Sequence, residues 1–157
     1  MSQVVVNQVV QLLTDANIAF RQVEHEETLT SEDSALARNE PLEVGAKALL
    51  LKSDQEFVLA VIPAHRKLNS AAIKKLLNVK NLRFATAEEL LEQTGLLPGS
   101  VPPFGSPIFT FRLFADHSVG QEWGRIAFNS GSRTRSIIMQ RDDWLAIAKP
   151  VLANLCS

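Results

Sequence analysis

A chain of 157 residues, 46% hydrophobic and 21% charged, has the make-up of one ordinary globular domain, which excludes a largely disordered chain. Its formal net charge of −1 excludes an all-over positive field for nucleic acid, so an RNA partner has to be held by a local patch or a pocket. The lone cysteine, Cys156, excludes a disulfide framework or a cysteine-based zinc site within the chain, and no stretch approaches the roughly 18 apolar residues of a membrane span. A cytoplasmic single domain over residues 1–157, without membrane association, is the expectation.

Val5, Val9, Leu12, Leu13 and Ala16 recur at helical spacing and predict an amphipathic first helix, followed by a short strand from Ile18 to Val23. Thr30 and Asp33 have capping-box spacing, so a short helix through Ala35 to Arg38 should follow and end before Pro41. The clearest strands are Ala46 to Lys52 and Phe57 to Ile62, a hairpin turning at Ser53-Asp54-Gln55. Asn69 should cap a helix carrying Ile73, Leu76 and Leu77, and a short strand from Leu82 to Ala85 comes next. Thr86 and Glu89 form a better capping box for a helix that stops at Gly95. From Gly95 to Pro107 the chain is irregular, with three Gly and four Pro in 13 residues. Strands are then expected at Ile108 to Phe114, Arg125 to Phe128 and Arg135 to Met139, and a last helix from near Asp142 to Pro150. Hairpins mixed with helices make this an α/β (mixed α+β) domain.

Three places can carry chemistry. Lys47 shares a strand face with Leu49 and Leu51; such a lysine either snorkels from the rim of the core or points into a pocket, where its ammonium would hold a phosphate or a carbonyl oxygen. In the Gly-Pro stretch, Gly99, Ser100 and Val101 are the residues between Pro98 and Pro102 with amides free to face an oxyanion, although most loops of this kind are only connectors. The run Phe128 to Arg135 brings a strand into a polar turn with two arginines, a donor-rich turn or simply a solvated one. Lys74, Lys75, Lys80 and Arg83 form a further small basic cluster that reads as wet surface. His25, His65 and His117 lack metal-site spacing, and there is no Gly-x-Ser-x-Gly elbow and no phosphate-loop or dinucleotide fingerprint.

Three segments taken together resemble one family. His25 to Glu32, Gly45 to Leu51 and Gly99 to Gly105 occur in the order found in the YbaK-like and prolyl-tRNA-synthetase-associated (ProX-like) deacylases, and Asn129-Ser130-Gly131 supplies a fourth match. The resemblance runs from about residue 5 to residue 148. It implies a single compact domain with a curved, mixed, mainly antiparallel sheet flanked by helices. It also implies hydrolysis of the ester joining a wrong, small amino acid to a tRNA, on tRNA-Pro in some members, with no metal or organic cofactor. The implied partners are the acceptor end of an aminoacyl-tRNA and, in some members, an aminoacyl-tRNA synthetase.

Residue by residue, the resemblance places Lys47 on the family lysine and Gly99 on the glycine of its Gly-x-x-x-Pro loop, with Pro103 as the proline. Thr30 falls on the threonine after the early histidine and Asn129 on a polar pocket position; Ser100, Val101 and Gly131 join them as expected substrate contacts. YbaK-type members have serine where this chain has Asn129 and an acidic residue where it has Ser136, and the alanyl-specific members have asparagine where it has Ala48. Two rival readings share these residues: a non-catalytic tRNA- or synthetase-binding module of the same fold, and a hydrolase of another small activated acyl compound.

Overall fold

The computed structural model describes residues 2–28 and 30–157. Helix α1 (Ser2–Asp15) presents Val5, Val9 and Leu13 on one buried face, as their spacing requires. It leads into β1 (Phe20–Glu24) and then α2 (Ser31–Arg38), whose N-cap Thr30 accepts a hydrogen bond from the Asp33 amide at 3.0 Å. A single 3-10 turn, Leu42–Val44, delivers the chain to the hairpin β2 (Ala46–Ser53) and β3 (Phe57–Pro63). Helix α3 (Ser70–Leu77), strand β4 (Leu82–Phe84) and helix α4 (Ala87–Thr94) follow, α4 opening on the full Thr86–Glu89 capping box and closing on Gly95 at φ 74°.

Strands β5 (Arg112–Asp116), β6 (Arg125–Ser132), β7 (Arg135–Gln140), helix α5 (Arg141–Ala148) and a short β8 (Val151–Ala153) complete the chain. The mixed α/β class stands, with the strands divided between two sheets. One is antiparallel, in the order β1-β7-β6; the other is mixed, in the order β4-β2-β3-β5-β8. They meet at a bridge between Gly45 and Ala127. Gly45 is needed there, because a Cβ would come within 2.9 Å of the Ala64 Cβ.

Alternation along β2 and β3 sorts their side chains between two cores. Leu50, Leu59 and Val61 join α1, Ile126, Phe128, Ile137 and Trp144 in the larger core. Leu51, Val58, Ala60 and Ile62 pack on the opposite face with Ile73, Phe114 and Leu155. Several expectations shift, two of them with a bearing on the site. Strand β5 starts at Arg112 and not at Ile108, because the amides of Ile108 and Phe109 both turn back to the Gly105 carbonyl. The Gly-Pro stretch is no surface connector over its second half: Phe104 is buried edge-to-face on Phe128, and the Trp144 indole donates to the Pro103 carbonyl at 2.9 Å.

Candidate active site

Where the two sheets meet, a cavity of about 180 Å³ opens between α2, the start of β2, the Gly99 loop and β6. Its wall includes Thr28, Thr30, Ser34, Arg38, Lys47, Gly99, Val101 and Asn129. Segments far apart in sequence therefore converge on one hollow, among them Lys47, Gly99, Thr30, Val101 and Asn129 of the sequence-derived candidates. Lys47 is half-buried at the cavity wall, and among the described residues no hydrogen bond or ion pair engages its ammonium. Gly99 has φ 86° and open space where a Cβ would project, so its glycine serves the backbone turn rather than a tight contact.

Ser100, Pro103 and Gly131 are not in this cavity. The Ser100 amide and hydroxyl both donate to the Leu97 carbonyl, at 3.2 and 2.7 Å, so that amide is not free for an oxyanion and the residue closes a turn. Pro103 is buried and gives its carbonyl to Trp144. Gly131, at φ 124°, lies where a Cβ would come within 3.0 Å of Val5, which is a packing reason for glycine. Ser100 and Gly131 instead border a separate depression of about 460 Å³, beside Leu97 and Arg133. Arg133 there is tied to the Glu27 carboxylate and the Pro98 carbonyl.

Residues 25–147 match the family described as the aminoacyl-tRNA editing domain. The chain belongs to that family. Over 147 residues it is 31% identical to the "Multifunctional Ser/Thr-tRNA deacylase ProXp-y" of Escherichia coli K12, a match spanning 91% of this chain and 87% of that protein. It is also 32% identical over 100 residues to the proline–tRNA ligase of Staphylococcus haemolyticus, covering 64% of this chain and 17% of that enzyme. In three dimensions it superposes on a protein assigned as a trans-editing enzyme for prolyl-tRNA synthetase with a TM-score of 0.82 at 20% identity, covering 97% of this chain and 96% of the other, which is a likeness of fold.

Beside the cavity of this editing domain, Asn129 and Ser136 join a polar cluster with Arg38 and His25, and nothing in the sequence pointed to Arg38's part in it. Asn129 and Ser136 face each other across the β6–β7 ladder, which sets their side chains side by side. The Ser136 hydroxyl accepts from Arg38 Nε at 2.8 Å and lies 3.0 Å from Asn129 Oδ1, which itself accepts from Arg38 Nη2 at 3.0 Å. Asn129 Nδ2 donates to the Gly99 carbonyl at 2.7 Å, so one amide ties the guanidinium to the loop and its orientation is fixed by both partners. His25 Nε2 is 2.8 Å from the same hydroxyl, and its Nδ1 is 2.8 Å from the Glu26 carbonyl. Since a carbonyl only accepts, the hydrogen of the Nδ1 contact lies on Nδ1, while the one Ser136 hydroxyl hydrogen goes to Asn129 Oδ1. The side chains of Thr28 and Ser34 are joined at 2.7 Å on the cavity wall. Burial pushes the Arg38 guanidinium down to about 10 against the upward pull of Glu40, so it stays charged at neutral pH.

Proposed function

We propose that this editing domain hydrolyses the ester of a mischarged tRNA bearing a small amino acid, with Lys47 and the Gly99 loop as the catalytic elements and Thr30, Val101 and Asn129 around the acyl group. The observation that carries the reading is the convergence of Lys47, Gly99, Val101 and Asn129 on one cavity of about 180 Å³. That is smaller than the roughly 300–1,000 Å³ usual for drug-sized ligands, and it suits an acyl group of a few atoms. The E. coli relative acts on Ser- and Thr-tRNA, which supports the same small side chains here. The likeness to proline–tRNA ligases supports tRNA-Pro as one carrier and such a synthetase as the partner in the cytoplasm.

An aminoacyl ester is already activated, so the protein need supply only position and charge. The unpaired ammonium of Lys47 holds the phosphate of the terminal nucleotide or the reacting carbonyl. The amides of Gly99 and Val101 stabilise the oxyanion that forms as water attacks, the water itself being oriented by the ribose hydroxyl and the α-amine of the substrate. The electron pair of the cleaved C–O bond and one proton go to the ribose oxygen, leaving free amino acid and intact tRNA. A second sieve of this kind is needed because one methylene gives a synthetase only about 1–3 kcal/mol of discrimination. Incubating the purified protein with a panel of seryl-, threonyl-, alanyl- and cysteinyl-tRNA should release at least one of these amino acids in multiple turnovers. Binding of the panel with no release would establish the non-catalytic alternative instead.

A further inference from the structure

The cavity contains a charge that the reaction above does not use. Arg38 is only 7% exposed, on the last turn of α2, and with Ser31 and Ser34 it forms the face of that helix that lines the hollow. Its Nε and Nη2 are bonded to neutral oxygens, those of Ser136 and Asn129. Glu40, the carboxylate that acts on it electrostatically, already gives its two oxygens to Arg21 and Arg125. Among the described residues no carboxylate lines the cavity, and none bonds Nη1, which lies 3.7 Å from the position a Gly45 Cβ would take. A buried cation to which no carboxylate is bonded is costly, and a leucine at this helix position would avoid that cost. Arg38 lines the hollow in which the proposed reaction places the acyl group.

We infer that Arg38 is a specificity-determining residue: Nη1, with the hydroxyls of Ser34 and Thr28, takes the side-chain oxygen of the acyl group and selects seryl and threonyl esters over alanyl. This rests on the deacylase reading and deepens it. A substrate hydroxyl satisfies both kinds of group, accepting from Nη1 and donating to the linked Ser34–Thr28 pair. An alanyl side chain has no oxygen to do either and leaves the guanidinium edge and the hydroxyl pair without a partner, so rejection comes from the site's own unmet polar groups. Ser136 is part of the device. As a serine it holds Arg38 without neutralising it, whereas a carboxylate there would sit against Nε and quench the charge.

The test is single-turnover hydrolysis of seryl-, threonyl- and alanyl-esters on one and the same tRNA, by the unmodified protein, Arg38→Leu and Ser136→Asp. The unmodified protein should favour the two hydroxyl esters, and in both variants the seryl-to-alanyl rate ratio should fall by about tenfold or more. A purely structural role for Arg38 would lower all three rates together; an unchanged ratio in either variant, or no preference in the unmodified protein, overturns the inference. Ser136→Asp keeps the guanidinium in place and decides the matter if Arg38→Leu does not fold. Equal seryl, threonyl and alanyl hydrolysis by the unmodified protein would overturn this inference alone, whereas the deacylase reading falls only if the unmodified protein hydrolyses none of the three.

Discussion

Two buried charges in this protein are handled in opposite ways. Asp116, at the end of β5, spends both oxygens inside the fold: one accepts the Leu155 and Cys156 amides at 2.7 and 3.1 Å, the other the Ser118 amide at 2.9 Å, the Ser118 hydroxyl and Arg66. It pins the C-terminal segment against the smaller core. Arg38 is about as deeply buried, yet its bonds go to neutral groups and one edge is left on a cavity. A buried charge whose partners are all internal is part of the architecture; one that keeps an edge for a hollow is a candidate for ligand contact.

That contrast can be broken most forcefully at Asp116. Asp116→Ala strands two backbone amides in a buried segment and should cost about 2–4 kcal/mol of stability in urea unfolding, with the deacylation rate per folded molecule unchanged. A comparable loss of activity without loss of stability would mean that the two residues do not differ as described. The pH dependence sharpens the point. Burial, the largest single influence on the Asp116 carboxyl, works to raise it, but the bonds from Ser118 and Leu155 and the charge of Arg66 outweigh burial and hold it below its ordinary value. A depressed folded value gives stability that is complete above the unfolded carboxylate range and is lost as pH falls through the folded one. Unfolding midpoints should therefore drop in acid for the unmodified protein and change less over the same range for Asp116→Asn.

Smaller effects calibrate the comparison. Thr86→Ala removes a cap far from the cavity and should cost about 1 kcal/mol of stability with no effect on selectivity. Arg38→Leu should shift stability by less than about 1 kcal/mol, and in the stabilising direction if the lone cation dominates, while the ester ratio changes. A large destabilisation in that variant would move Arg38 to the same class as Asp116.

The sequence carried the local elements and part of the cavity. Capping residues Thr30, Asn69 and Thr86, and the β2–β3 hairpin, depend on neighbours a few positions away and were legible. Lys47, Gly99 and Asn129 were legible through their motifs, although only the fold shows that they share a hollow. Arg38 was not, because in the segment Ser31–Arg38 it looks like an ordinary basic residue in the last turn of a helix, favourable to the helix dipole. Its burial follows from partners 91 and 98 residues away. Ser100, Pro103 and Gly131 belong to matching motifs but lie outside this cavity, where their own turn, the Trp144 indole and the packing of α1 account for them. The short strand β8 lacks any pattern of its own and forms by pairing beside β5.

The central claim is that Lys47 and the cavity around it cleave the aminoacyl ester. Its most direct test is single-turnover release of serine from seryl-tRNA by Lys47→Ala, with circular dichroism and thermal unfolding recorded on the same preparation. The account requires a fall of roughly a hundredfold or more in the rate, as for loss of a group stabilising transition-state charge, with the fold and its unfolding temperature retained. Release at the unmodified rate by a well-folded Lys47→Ala protein would contradict it.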